Sequence, residues 1–364
     1  MTPLIQMILE IILGIALLFG GGELFVQGAA TLAVLLGIPQ LVIGLTVVSL
    51  GTSAPELFVS VGSFFKSSDA LAVSNVIGSN IFNVLVVLGS SALIMPLKVE
   101  SRLVRRDIPL LLAVSAAVWG MASSGKITWQ SGLALLIALA INTIWEIRTA
   151  REEPQGIKEA EPEVNLELAS NGWIKAILGI LAGIFLLGIG SEVLINGAKE
   201  LASSYKWSEE VIGLTIVSAG TSMPELITSL VAALKGRTDL AIGNVVGSSL
   251  LNQLLVLGST ALLSGNQGVH VESILIQKDF PIMLFVTLAC LPIFWTKGRI
   301  SRLEGAALLS LYGLYLTDQL LPLTQSTIQD EFRLIVIFII LPLSLIILTL
   351  KSLRYWRLIK RIRS

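Results

Sequence analysis

The chain has 364 residues, of which 54% are hydrophobic and only 14% charged, and its formal net charge is zero. A soluble domain carries about 25% charged residues, so a water-soluble enzyme is excluded and a bilayer is the expected solvent. The 25 basic and 25 acidic residues balance, which leaves no reason to expect nucleic acid as a partner.

One crossing of a bilayer takes ~20 apolar residues. Apolar segments run at about 4–36, 39–65, 70–97, 107–123, 127–147, 173–203, 209–234, 239–264, 279–297, 300–321 and 332–350, which predicts eleven helices. The first has no basic stretch before it and outlasts the apolar region of a leader, so no cleavable signal peptide is expected. Lys98, Arg102, Arg105 and Arg106 follow the third span, and Arg148 and Arg151 the fifth. Lys235 and Arg237 follow the seventh, and Lys297, Arg299 and Arg302 the ninth. Lys351 to Arg363 follow the eleventh, where Tyr355 and Trp356 read as a membrane-surface anchor. All these loops fall on one side, expected to be cytoplasmic, with the N-terminus outside and the C-terminus inside. Residues 149–171 are acidic and carry Pro154 and Pro162, the composition of a solvated tether.

The chain is written twice. GLTVVSLGTSAPE at 44–56 matches GLTIVSAGTSMPE at 213–225, and SNVIGSNIFNVLVVLGS at 74–90 matches GNVVGSSLLNQLLVLGS at 243–259. The same offset of 169 aligns Gly21, Glu23, Gly28 and Ala29 with Gly190, Glu192, Gly197 and Ala198. Five spans separate the copies, an odd number, so they enter the membrane in opposite directions. The expected fold is an all-α polytopic membrane protein. It has a five-helix repeat over 1–148, a linker over 149–171, an inverted five-helix repeat over 172–321, and an extra helix with a basic tail over 322–364. Inverted repeats built from broken helices are the architecture of secondary transporters.

Each copy sets polar clusters inside apolar helices. Pro55 and Pro224 free the carbonyls of Gly51 and Gly220, and Thr52, Ser53 and Glu56, like Thr221, Ser222 and Glu225, are spaced to share one helix face. Asn75, Ser79 and Asn83, mirrored by Asn244, Ser248 and Asn252, make a second stripe, and Gly78 and Gly247 leave room for a neighbouring backbone. One histidine and one cysteine leave no His- or Cys-based metal site, so a bound metal must be a hard cation held by oxygen. A lone mid-span carboxylate costs about 2.5–3.5 kcal/mol on insertion scales, and two facing each other repel. One Ca²⁺, which takes about 6–8 oxygens, several Na⁺ or protons would each cancel that charge. A site that tolerates either filling but not being left bare is the basis of exchange.

GTSAPE with SNVIGSNIFN, and GTSMPE with GNVVGSSLLN, resemble the α-repeats of the cation/Ca²⁺ exchanger superfamily, and within it the prokaryotic sodium/calcium exchangers. The resemblance covers about 4–321 and implies ten helices in two inverted halves. It implies that Glu56 and Glu225 bind Ca²⁺ and Na⁺ with Thr52, Ser53, Thr221 and Ser222. Ser49 and Ser218 are implied through their carbonyls, and Ser79, Asn83, Ser248 and Asn252 from the second motif. It implies export of Ca²⁺ coupled to inward Na⁺ by alternating access, with no cofactor, since the ions are cargo. Many members have Asp where this chain has Asn252, and Ser249 replaces the usual Asn. The eleventh helix lies beyond the family core.

Two other functions compete: a Ca²⁺/H⁺ antiporter using the same glutamates, and a cation channel lined by acids. An intramembrane hydrolase lacks a nucleophile and base. Glu23 and Glu192 form a second repeated acidic pair, for which interfacial positioning is favoured over a vestibule or gate. The stretch Gly120 to Lys126 resembles a phosphate loop, but Ile127 stands where Ser or Thr is needed. Cys290 reads as a small core residue, and His270 as a surface histidine in an outside loop.

Overall fold

The computed structural model describes residues 3–65, 69–152, 172–204, 218–295 and 298–324. The predicted eleventh helix and basic tail, most of the acidic linker, and Lys66 and Lys297 lie outside the described residues.

Helices dominate. Helix α1 (Pro3–Leu36) is followed by α2 (Gln40–Thr52) and α3 (Ala54–Phe65), which meet at a bend of 44°. Then come α4 (Asp69–Ile94), α5 (Ile108–Ala122), α6 (Trp129–Glu152) and α7 (Gly172–Ser204). The second half continues with α8 (Ser218–Thr221), α9 (Met223–Leu234), α10 (Thr238–Leu263), α11 (Leu275–Phe294) and α12 (Arg302–Thr324).

Among the described residues, six helices are long and apolar enough to cross a membrane, or seven if the bent α2–α3 pair is one span. That is fewer than the eleven apolar segments of the sequence. The described parts of the other ten segments are mainly helical, but several miss this test. Arg105, Arg106 and Asp107 sit at the head of the fourth segment, and α9 has only 12 residues.

Helix ends follow local chemistry. Gly37, at φ 64°, closes α1, and the Ile38 N–H returns to the Ala33 carbonyl at 3.1 Å. Gly236, at φ 73°, closes α9 in the same way, with the Arg237 N–H on the Ala232 carbonyl at 2.9 Å. Only glycine takes this left-handed position without a Cβ penalty.

Helices α4 and α10 form the centre. Their most apolar windows are 78% and 94% buried, against 17% and 22% for α1 and α7. The outer pair α1–α7 packs through glycines seven residues apart. Gly14, Gly21 and Gly28 face Leu194, Leu186 and Ile180, while Gly183, Gly190 and Gly197 face Phe25, Leu18 and Ile11. A Cβ on Gly183 would stand 2.6 Å from the Phe25 Cβ. Contact positions rise on α1 as they fall on α7, so the two helices run antiparallel. Bare backbone lets them approach closely where no hydrophobic effect drives them together.

Two short antiparallel bridges tie connections of one half to those of the other. β1 (Leu97–Lys98) pairs with β4 (Arg299–Ile300), and β2 (Lys126–Ile127) with β3 (Val269–His270). Each bridge joins loops that the charge pattern groups on one side of the membrane. Cys290 is buried in the core. His270 is exposed, and its backbone N–H bonds to the Asp69 carboxylate at 2.9 Å.

Candidate functional site

Chain breaks position the first set of side chains. Ser53 leaves helical geometry, at φ −79° and ψ 4°, between α2 and α3, and Ser222 does so between α8 and α9, at φ −92° and ψ 11°. In each case the proline two residues on has no N–H to continue the ladder. The break puts a Ser-x-x-Glu turn at the head of a new helix, with Glu56 and Glu225 in the first turns of α3 and α9. The helix dipole favours a carboxylate there.

The second set sits on α4 and α10. A wide π-turn begins at Asn83 (Asn83–Val87) and another at Asn252 (Asn252–Leu257). Such turns occur mostly as single bulges, often at functional sites.

These residues meet in one cage. Glu56 and Glu225 are both 0% exposed. The pairing crosses between halves. Ser222 Oγ donates to Glu56 Oε1 at 3.0 Å, and Ser53 Oγ to Glu225 Oε1 at 3.3 Å. Thr52 Oγ1 donates to Asn244 Oδ1 at 3.1 Å, and Thr221 Oγ1 to Asn75 Oδ1 at 3.3 Å. Ser79 lies 3.0 Å from Ser222, and Ser248 3.3 Å from Thr52. Asn75 and Asn244 donate to the carbonyls of Glu56 and Glu225 and to Ser60 and Ser229. The glutamate, threonine and asparagine contacts recur between the halves at the offset of 169, the reciprocity of a two-fold interface, whereas Ser79 meets Ser222 and Ser248 meets Thr52.

The structure revises three local expectations. First, spacing on an unbroken helix groups Ser53 with Glu56, but the bend sends the Ser53 hydroxyl to Glu225 instead. Secondly, the carbonyl of Gly220, freed by Pro224, is taken by the Ser191 hydroxyl at 2.6 Å. Thirdly, the Ser49 carbonyl accepts the Ser53 N–H at 2.9 Å, so only its second lone pair is open to a ligand. The side chain of Ser218 lies outside the described residues.

Sequence reasoning missed Ser60, Ser229 and Asn80. The repeat itself carried the signal for the serines, which recur at the same offset. Glu23 stands away from the cage with its side chain 57% exposed, paired with Lys235 at 2.8 Å. Glu192 is exposed.

Chemically, the cage offers oxygen and little else. Glu56 Oε2, Glu225 Oε2, Asn252 Oδ1 and both side-chain atoms of Asn83 are buried without a hydrogen-bond partner. No cluster of three or more His, Cys, Asp or Glu occurs among the described residues. Ligands beyond two carboxylates must therefore be hydroxyls, amides or carbonyls, a set suited to hard cations.

Known proteins resemble this chain in sequence and fold. The family model described as sodium/calcium exchanger protein matches residues 7–148 and 175–321. The chain is 32% identical over 290 residues to the inner membrane protein YrbG of Escherichia coli, covering 79% of this chain and 88% of that one. It is 29% identical over 346 residues to the sodium/calcium exchanger MaX1 of Methanosarcina acetivorans, covering 85% and 97%. A solved structure of the sodium-calcium exchanger NCX_Mj superposes with a TM-score of 0.73 at 28% identity, over 86% of this chain and 98% of that one. The chain thus belongs to the sodium/calcium exchanger protein family, as an integral membrane transporter of ions and not an enzyme.

Proposed function

We propose that the chain exchanges Ca²⁺ for Na⁺ by alternating access at a midplane site. The proposed ligands are Glu56, Glu225, Thr52, Thr221, Ser53, Ser222, Ser79, Ser248, Asn83 and Asn252, with the carbonyls of Ser49 and Ser218. One observation carries this reading. Two fully buried carboxylates, one from each half, each keep one oxygen without a protein partner. A buried charge with no counter-charge is costly, and a divalent cation between the two cancels both.

Na⁺ is favoured over H⁺ as the counter-ion by the donor set. A proton needs only the carboxylate. Hydroxyl and amide oxygens in this number serve a metal ion that must replace its hydration shell. The names of the sodium/calcium exchangers MaX1 and NCX_Mj, which pair sodium with calcium, support the same choice.

The antiparallel α1–α7 pair and the reciprocal contacts support two inverted repeats over 1–148 and 172–321, joined by the tether at 149–171. The loop charges support an outside N-terminus in a cell membrane. Residues 322–364 are proposed to add one further span and a basic tail.

The test is Ca²⁺ efflux from proteoliposomes against separate Na⁺ and H⁺ gradients. Efflux driven by Na⁺ alone is expected. Efflux that follows the pH gradient and ignores Na⁺ would make the chain a Ca²⁺/H⁺ antiporter. Rapid unitary currents without counter-ion dependence would make it a channel.

A further inference from the structure

The two halves of the cage differ around Asn83 and Asn252, and this difference bears on ion binding. Asn252 and Asn83 hold matching positions, each opening a π-turn. The turn at Asn252 packs against α3, which carries Glu56, and the turn at Asn83 against α9, which carries Glu225. Their hydrogen bonding is not alike. Asn252 Nδ2 donates to Asn80 Oδ1 at 3.3 Å, and Asn80 Nδ2 in turn lies 3.6 Å from Met283 Sδ. All three side chains are buried.

The chemistry of this row is directional. A thioether sulfur accepts hydrogen bonds and has none to give. Met283 therefore draws the NH₂ end of Asn80 toward itself and turns the Asn80 oxygen to Asn252. That oxygen can only accept, so Asn252 must present its own NH₂ there. Asn252 Oδ1 is left buried and without a partner.

The other half has no such device. Ser249 stands where the repeat places Asn80, and its hydroxyl is spent on the Val245 carbonyl at 2.9 Å. With IPLLLAV at 108–114 aligned to FPIMLFV at 280–286, an offset of 172 in this later helix, Leu111 stands in the place of Met283 and has no acceptor. Neither side-chain atom of Asn83 has a partner.

We infer that Asn80 and Met283 are positioning residues that lock the amide of Asn252 with its oxygen toward the cation, while Asn83 is left free to turn either end. This rests on the cation-site reading proposed above. An amide in the wrong sense presents an N–H dipole to a positive ion, so the lock converts a two-sided group into a fixed neutral ligand. Asn252 then serves as an oriented carbonyl at a place that carries no charge of its own.

The experiment uses the purified full chain in detergent, with two readouts. The first needs no ion: selective ¹⁵N-Asn labelling and the side-chain NH₂ signals of Asn252, identified by their loss in Asn252→Ala. Wild type is expected to show the inequivalent, exchange-protected pair of a locked amide. Asn80→Leu and the volume-conserving Met283→Leu are expected to lose it. The second is equilibrium binding of ⁴⁵Ca²⁺. Asn80→Leu is expected to weaken binding about 10- to 100-fold, the range for groups that orient metal ligands. Met283→Leu should weaken it by less. In the Asn252→Ala background, Asn80→Leu should add nothing. Unchanged NH₂ signals in both variants would overturn the lock. So would equal weakening by Asn80→Leu with and without Asn252. A locked amide in a wild-type chain that binds no Ca²⁺ would instead overturn the cation-site reading.

Discussion

Two of the regions that bury carboxylates in this molecule treat them in opposite ways. Between the head of α5 and the end of α6, Glu146 is held by two guanidinium groups, Arg102 and Arg106. Arg106 also donates to Asn142 at 3.0 Å and stacks 4.1 Å over the ring of Trp145. In the cage, Glu56 and Glu225 meet only hydroxyls, and each keeps one oxygen without a partner. Burial is near complete in both places. The difference lies in where the compensating charge comes from. Glu146 carries its counter-ions in the sequence and is a structural tie. Among the described residues the cage carries none, and the proposed cation would supply that charge.

The second half repeats the tie in a weaker form. Lys278 pairs with Asp318 at 2.6 Å, and Asp279 takes hydrogen bonds from Tyr315 at 3.2 Å and Gln319 at 2.9 Å. A single ammonium there does the work of two planar guanidinium forks, which bind carboxylates with less loss of freedom. Symmetry of backbone therefore does not impose symmetry of charge.

Exchanging the charge state of each region sharpens the contrast most. Glu56→Gln or Glu225→Gln is expected to abolish Ca²⁺ flux in proteoliposomes, through a loss of about 2–5 kcal/mol of cation binding. The protein should stay folded, since a buried charge is removed. Flux at the wild-type rate in either variant removes that residue from the site. Glu146→Gln is expected to do the reverse. It leaves two part-buried guanidiniums with Asp107 still beside both and should cost about 1.5–3 kcal/mol of stability, read as a lower midpoint of thermal unfolding in detergent, with flux per folded molecule retained. An unchanged midpoint would mean that the tie stabilises nothing.

Smaller effects are expected further out. Gly183→Ala places a methyl against Phe25, and overpacking of this kind costs about 1–3 kcal/mol; thermal unfolding checks it, and an unaltered midpoint would show that α1 and α7 part easily. Thr52→Ala removes one hydroxyl and should weaken Ca²⁺ binding by about 1 kcal/mol; a titration in which it matches Glu56→Gln would shift the weight of the site from carboxylate to hydroxyl. Lys235→Ala breaks a pair whose Glu23 side is over half exposed, and solvent-screened pairs of this kind contribute little to stability. A larger loss would mean that the pair is shielded in the membrane.

Much of this was legible in the residues themselves. Composition and the length of the apolar runs determined a polytopic helical protein, because a bilayer admits few other solutions for the backbone. The repeat at an offset of 169 announced a paired site and named both glutamates. Spacing alone could not say which hydroxyl serves which carboxylate. It assumed an unbroken helix, whereas Pro55 and Pro224 sit just past breaks that redirect Ser53 and Ser222 to the opposite half. Nor could it find the partners of Asn252, because Asn80 and Met283 lie 172 positions before it and 31 after it. A repeat pattern records what the two halves share. The contacts that set them apart, one lysine for two arginines and one thioether for a leucine, act between helices distant in the chain, and only the folded packing decided them.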